Sequence, residues 1–167
     1  MSGLVRSKKA SSSQQLHTSD LLQLVTFGLG NEEYAVDILK VREINRLREI
    51  TKVPNTLHYV EGVINLRGKV ITVINLRKKF GLPEQKDSAL VRIMIMETQG
   101  CTVGIVVDYV SEVLRISADI VESPPVMTST SLEEEFIRGI VKMADRLVIL
   151  VEMDNIIGCG HTNLKPL

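Results

Sequence analysis

The chain has 167 residues, 44% of them hydrophobic, with 20 basic and 20 acidic side chains and no net charge. That length suffices for a real core without staples, and the neutral balance argues against a phosphate-backbone binder, which calls for a net basic domain. The longest apolar runs, such as Leu147 to Val151, reach five residues, far short of the roughly 20 that cross a bilayer as a helix.

Residues 1–20 are rich in Ser, Gln and Lys. They bury too little apolar surface to offset chain entropy, so a disordered tail is expected. Leu21 to Leu29 has the apolar pattern of a half-buried strand. Gly28, Gly30 and Asn31 turn the chain, and Tyr34 to Val36 returns as a second strand. Asp37 to Asn45 reads as a short helical turn feeding a strand. Pro54 and Asn55 mark a loop, with one helical turn expected over Thr56 to Glu61, capped by Asn55. Val63–Leu66 and Val70–Asn75 form a hairpin around Arg67-Gly68-Lys69. A short helix from Leu76 to Phe80 stops at Gly81, with Pro83 beyond. Leu90–Glu97 and Thr102–Val107 form the next hairpin, around Gln99-Gly100, and Val110 to Ile116 is another strand. Pro124-Pro125 breaks the chain, and Ser131 with Glu134 has capping-box spacing. Phe136–Met143 and Leu147–Met153 close the series as a hairpin turning at Ala144-Asp145-Arg146. A frayed tail is expected from Gly158.

The second half repeats the first. Gly62 to Leu76 aligns without a gap onto Gly139 to Met153, at a constant offset of 77 (62 to 139, 76 to 153). Upstream, Tyr34-Ala35-Val36-Asp37 loosely resembles Ile105-Val106-Val107-Asp108. Repetition on this scale implies two similar modules. Short strands with frequent turn signals argue for small barrels. Val70–Ile74 and Leu147–Val151 lack polar alternation, and a strand apolar on both faces is covered on both. Two barrels sharing an apolar middle layer satisfy that demand. Aromatic content is 4% with no tryptophan, so Val, Ile, Leu and Met must build the core. Met94, Met96, Met127, Met143 and Met153 read as core filler.

Chemistry is sparse. Of three histidines, only His58 lies in the expected ordered region. Cys159-Gly160-His161 is too tight for one tetrahedral zinc site. Gly28-Leu29-Gly30 lacks the third glycine of a dinucleotide loop. Asp37 and Asp108 read as end-of-strand caps rather than a catalytic pair. The two cysteines, Cys101 and Cys159, are too few for a disulfide framework, and a reducing cytoplasmic compartment is expected. No catalytic residue, metal or cofactor is expected. A small-barrel nucleic-acid binder is the rival from another class, but its stacking platforms are missing: the aromatics are scattered, and residues 87–167 carry six basic against twelve acidic side chains. Arg67 at its hairpin turn suits anchoring, since Arg joins a planar hydrogen-bonding fork to an apolar stem. Gly62 and Gly104 at strand starts mark a bulge or a close backbone approach. Val41 and Val113 stand at similar places after the first strand pair of each half, as core or as an apolar groove for a partner helix.

Gly28 through Ile44 resembles the opening signature of the CheW family, the bacterial chemotaxis coupling proteins. The resemblance continues through Gly62-Val63-Ile64-Asn65-Leu66-Arg67-Gly68 and Asn75-Leu76-Arg77-Lys78-Lys79-Phe80. It returns at Val103 to Asp108 and Asp145 to Val151, covering about residues 21–157. It implies a mainly β fold of two small, interleaved SH3-like barrel subdomains with a few short helices, between tails at 1–20 and 158–167. It further implies a non-catalytic cytoplasmic adaptor, recruited to membrane-associated receptor arrays. There it couples methyl-accepting chemotaxis receptors, at their cytoplasmic tip, to the regulatory domain of the histidine kinase CheA. By motif, Val41, Gly62, Arg67, Gly104 and Val113 correspond to a receptor-facing set, and Glu43, Ile44 and Asn45 to a kinase-facing edge. A coupling module excised from a larger relative, such as a receiver-fused coupling protein, is the nearer alternative. The chain departs from the family at Thr72, often proline, and at Asn75, often aspartate. Both are expected to bear on the edge of the second hairpin strand. No clear amphipathic closing helix follows Gly158.

Overall fold

The computed structural model describes residues 20–84, 88–98, 100–125 and 136–157. The expected tails, apart from Asp20, lie outside these residues, as do Gln99, Met127 and the Ser131/Glu134 pair. The strands are β1 (Leu21–Leu29), β2 (Glu32–Asp37), β3 (Val41–Arg46), β4 (Val60–Leu66), β5 (Lys69–Asn75), β6 (Arg92–Thr98), β7 (Cys101–Val107), β8 (Tyr109–Ser117), β9 (Val121–Glu122), β10 (Ile137–Lys142) and β11 (Leu147–Val151). Two short helices, α1 (Leu76–Lys79) and α2 (Met153–Ile157), and 3-10 turns at Ile38–Lys40 and Ala118–Ile120 complete the described elements.

These strands form two sheets, ordered β8-β1-β2-β11-β10-β9 and β3-β6-β7-β5-β4. Leu29 faces Glu32 at the turn of the first hairpin, and Thr98 faces Cys101 at the turn of its counterpart. Residues of β1–β2 therefore map onto β6–β7 at 69 positions further on (29 to 98, 32 to 101). With the offset of 77 for β4–β5 onto β10–β11, both sheets have the same order of equivalent strands. Each is a small SH3-like barrel, called here barrel one (with β1) and barrel two (with β3). The 69-residue relation corrects the looser upstream alignment by two residues. Asp37 corresponds to Val106, not to Asp108.

Each barrel closes by a similar device. In barrel one the 3-10 turn after β8 delivers β9, which pairs with β10 on the far side of the sheet. In barrel two the chain leaves β3 and bridges Thr51 to Val63 of β4, with both backbone hydrogen bonds made at 2.9 and 2.8 Å.

The core has three layers, because successive strand residues point to opposite faces. On β1, Leu24 enters barrel one while Val25, Phe27 and Leu29 enter the layer between barrels; on β6, Ile93 and Ile95 enter barrel two while Met94 and Met96 face that same middle layer. Met153, Ile156 and Ile157 bring α2 into the middle layer. Each such side chain, fully buried, contributes about 1.5–3 kcal/mol. The apolarity of Ile71–Ile74 and Val148–Val151 on both faces is thus explained, whereas Val70 and Leu147, which open the two runs, stay exposed against expectation.

Three expectations are corrected. No helical turn forms over Thr56–Glu61: Asn55 takes a left-handed φ of 62°, Thr56 bonds back to Val53, and β4 has begun by Val60. The last strand stops at Val151, and Met153 opens α2 instead. β5 is no edge, since it lies between β4 and β7, so Thr72 sits in a central strand.

Candidate protein-interaction surface

β3 is an edge strand that pairs only with β6. Its residues alternate between half-buried (Val41, Glu43, Asn45) and exposed (Arg42, Ile44, Arg46). Across the seam stands the β4–β5 turn. Asn65 accepts the Gly68 N–H on Oδ1 at 2.8 Å, and Arg67 adopts a left-handed φ of 53°. That geometry sends Arg67 back over β3. Its Nη1 and Nη2 donate to Glu43 Oε2 and Oε1 at 2.9 and 3.2 Å, while Asn45 Nδ2 donates to Oε1 at 2.8 Å. The hydrogen bonds from Arg67, then that from Asn45, hold the Glu43 carboxyl below its ordinary pKa. The Arg67 side chain remains 74% exposed. One cluster therefore joins Arg67, expected on one interface, to Glu43 and Asn45, expected on another.

The remaining expected residues are dispersed. Ile44 is exposed on the outer face of β3. Val41 lies opposite Met96 and packs on the middle layer. Gly62 is buried at a bulge, and a Cβ there would stand 2.1 Å from the Thr51 carbonyl oxygen. Gly104 is buried inside barrel two, where a Cβ would come within 3.0 Å of Ile93 and 3.4 Å of Val73. The close approach at both glycines comes from the chain itself. Val113 is exposed on β8 of barrel one. Ladder register pairs it with Val25 and pairs Val110 with Phe27. Val110 is thus the counterpart of Val41, and Val113 that of Ile44.

Sequence reasoning missed several features. Asp37 caps the 3-10 turn through Leu39 N–H, but Asp108 does not act as a cap. Asp108 takes a double hydrogen bond from Arg77 at 2.7 Å and accepts Gly30 N–H at 2.8 Å, tying α1 to the β1–β2 turn across the barrels. The hydrogen bonds that Arg77 donates to Asp108 raise the Arg77 pKa further. Val70 and Leu147, equivalent at the offset of 77 and expected under cover, are both exposed beside their hairpin turns. A cleft of about 500 Å³ is lined by Tyr34, Tyr59, Phe80, Phe136 and Ile149, with the Lys79 ammonium 3.9 Å above the Tyr59 ring. None of the eight expected site residues lines it. Among the described residues no three His, Cys, Asp or Glu side chains group as metal ligands, and no helix is long and apolar enough to cross a membrane. The surface offers hydrogen bonds, charge and apolar contact.

The family model for the CheW-like domain matches residues 23–158. The chain belongs to the CheW-like family. A chemotaxis protein CheW of Helicobacter pylori is 37% identical over 153 residues, covering 91% of this chain and 92% of its own length. Another, from Treponema pallidum, is 36% identical over 135 residues, covering 78% and 79%. Among solved structures, the scaffolding protein TtCheW of Thermoanaerobacter tengcongensis superposes with a TM-score of 0.76 at 37% identity, covering 87% of this chain and 92% of the other. The CheW-like domain thus includes both barrels, and its family is one of non-catalytic adaptors.

Proposed function

We propose that this chain is a chemotaxis scaffold that couples methyl-accepting receptors to a CheA-type histidine kinase, without catalysis of its own. The observation that carries the reading is the Arg67–Glu43–Asn45 cluster on the exposed edge of a CheW-like barrel. It is an ordered, charge-assisted surface beside an exposed apolar residue, Ile44, the chemistry of a protein interface. Val41, Gly62, Arg67, Gly104 and Val113 form the proposed receptor-facing set, with Gly62 and Gly104 acting through packing. Glu43, Ile44 and Asn45 form the proposed contact with the kinase regulatory domain. The protein would work in the cytoplasm, recruited to receptor arrays. Because Arg67 is bonded to Glu43, occupancy of one side bears on the geometry of the other, and a coupling protein requires such differential interaction.

The test is co-purification with a receptor signalling tip and with the kinase regulatory domain, separately and together. Arg67→Ala should weaken receptor binding about tenfold or more, as expected for an interface anchor. Ile44→Asp should impair binding of the regulatory domain first. Both variants should keep the parent circular dichroism. Parent-like affinity of Arg67→Ala for the receptor tip removes Arg67 from the interface; equal affinity of Ile44→Asp for the regulatory domain does the same for β3.

A further inference from the structure

The repeat places a second arginine–glutamate contact at the corresponding seam of barrel one. Glu112 on β8 is the counterpart of Glu43, 69 positions on. Arg146, from the β10–β11 turn, hydrogen-bonds Glu112 Oε1 through Nη2. Its Nε lies 2.8 Å from Glu33 Oε2, without hydrogen-bond alignment, and its Nη1 lies 3.5 Å from Asp145. This clasp is not a copy. The residue 77 positions after Arg67 is Ala144, and Arg146 corresponds to Lys69. The same seam is bridged by an arginine from the opposite side of the turn.

A second observation concerns the backbone at the same residue. Phe27 faces Val110 and Val25 faces Val113, so Ser111 and Glu112 share the single partner Thr26. Thr26 is wholly buried. Its hydroxyl accepts the Glu112 N–H and donates to the Glu112 carbonyl, both at 3.1 Å. Glu112 is therefore held by Thr26 through its backbone and by Arg146 through its side chain. The next residue is Val113, half exposed on the strand edge.

We propose that Arg146 is a positioning residue: through Glu112 it locks the β8 bulge and so sets how Val113 is presented to a receptor helix. The receptor part rests on the proposed function; the lock does not. Arg146 and Glu112 keep about a third and a half of their side-chain surfaces exposed, so the pair weighs little on global stability and its effect is local.

The experiment measures amide hydrogen exchange of residues 111–114 in the full chain, beside affinity for a receptor signalling-tip fragment. Arg146→Gln also strips the largely buried Glu33 of its cation and should lower the unfolding midpoint; at residues 111–114 it should speed exchange about two- to fivefold, the range for a part-exposed ion pair. Glu112→Gln should speed that exchange likewise, the double variant should add nothing further, and Arg146→Lys should stay near the parent. Receptor affinity should fall in step. Unchanged exchange in Arg146→Gln, or single effects that add in the double variant, overturns the lock. Faster exchange with parent-like receptor affinity overturns the positioning of Val113. A parent chain that binds no receptor fragment instead overturns the proposed function, while the exchange data still decide the lock.

Discussion

The same kind of backbone crossing dictates residue type at two places. Gly62 has φ 147°, and Thr51 passes so close that a Cβ would meet its carbonyl oxygen at 2.1 Å. At Gly139, its counterpart, a Cβ would stand 2.9 Å from the Glu122 carbonyl oxygen and 2.4 Å from Val121. Both crossings belong to the segments that close the barrels. Gly62→Ala is therefore expected to cost about 2–4 kcal/mol, combining a strained φ with overpacking against backbone. Equilibrium urea denaturation measures it; a loss under about 0.5 kcal/mol would mean that Thr51 withdraws freely. Any loss of binding in this variant then works through the fold. That Gly62 is a special glycine was legible in the sequence. What approaches it was not, because Thr51 lies in a loop without pattern. Arg67 teaches the same: its turn is visible locally, but Glu43 lies 24 residues away and is brought to it only by ladder register.

At the scale of elements, α1 shows how a cap is tied into a sheet. Asn75 accepts the Lys78 N–H on Oδ1 at 3.3 Å and donates from Nδ2 to Glu61 Oε1 at 2.8 Å, while Lys78 Nζ lies 2.9 Å from the same oxygen. Burial pushes the Glu61 pKa up, but the hydrogen bonds from Lys78 and Asn75 outweigh it and leave the carboxyl below its ordinary value of 4.5. Glu61 thus contributes stability above that value, and the contribution fades as pH falls through the lowered folded pKa. Asn75→Asp restores the family's common residue and keeps the cap, but it replaces a donor with a second carboxylate. The variant should lose about 1–2 kcal/mol at neutral pH. Repulsion raises one pKa of the new pair, so the deficit should shrink as pH falls from 7 towards 4.5. Urea midpoints across that range test it, and a pH-independent deficit refutes the pairing. Asn75 was legible as a departure from its family, but its partner was not, since Glu61 sits on the neighbouring strand. The hairpins were legible because alternation and turn glycines are local. The error over Thr56–Glu61 arose where one asparagine chose between an extended cap and a left-handed turn, which tertiary pairing of β4 decides.

For the whole molecule, the decisive feature is that neither half owns a barrel. Barrel two takes β3, β4 and β5 from the first half and β6 and β7 from the second; barrel one takes β1 and β2 from the first and β8 to β11 from the second. The middle layer then joins Phe27 and Val36 of barrel one to Met94, Met96 and Ile105 of barrel two. Sequence led to the shared layer, since strands apolar on both faces need two covers. The exchange of strands did not follow from the repeat, because a 77-residue repeat fits two self-contained barrels equally well; interleaving entered only with the family resemblance, and pairings such as Val41 with Met96 exclude the alternative. The consequence is thermodynamic. Either half alone would leave both sheets incomplete, the first with the edges of β2 and β5 uncovered and the second with those of β7 and β11, with no core able to offset its ordering entropy. The intact chain should therefore unfold in one cooperative transition, coincident by circular dichroism and Tyr fluorescence. Residues 1–86 and 87–167, expressed separately, should each give the poorly dispersed amide spectrum of an unfolded chain, and mixing them should restore dispersion. A half that folds alone, or two separable transitions in the intact protein, would show that the barrels are independent and that strand exchange is incidental to stability.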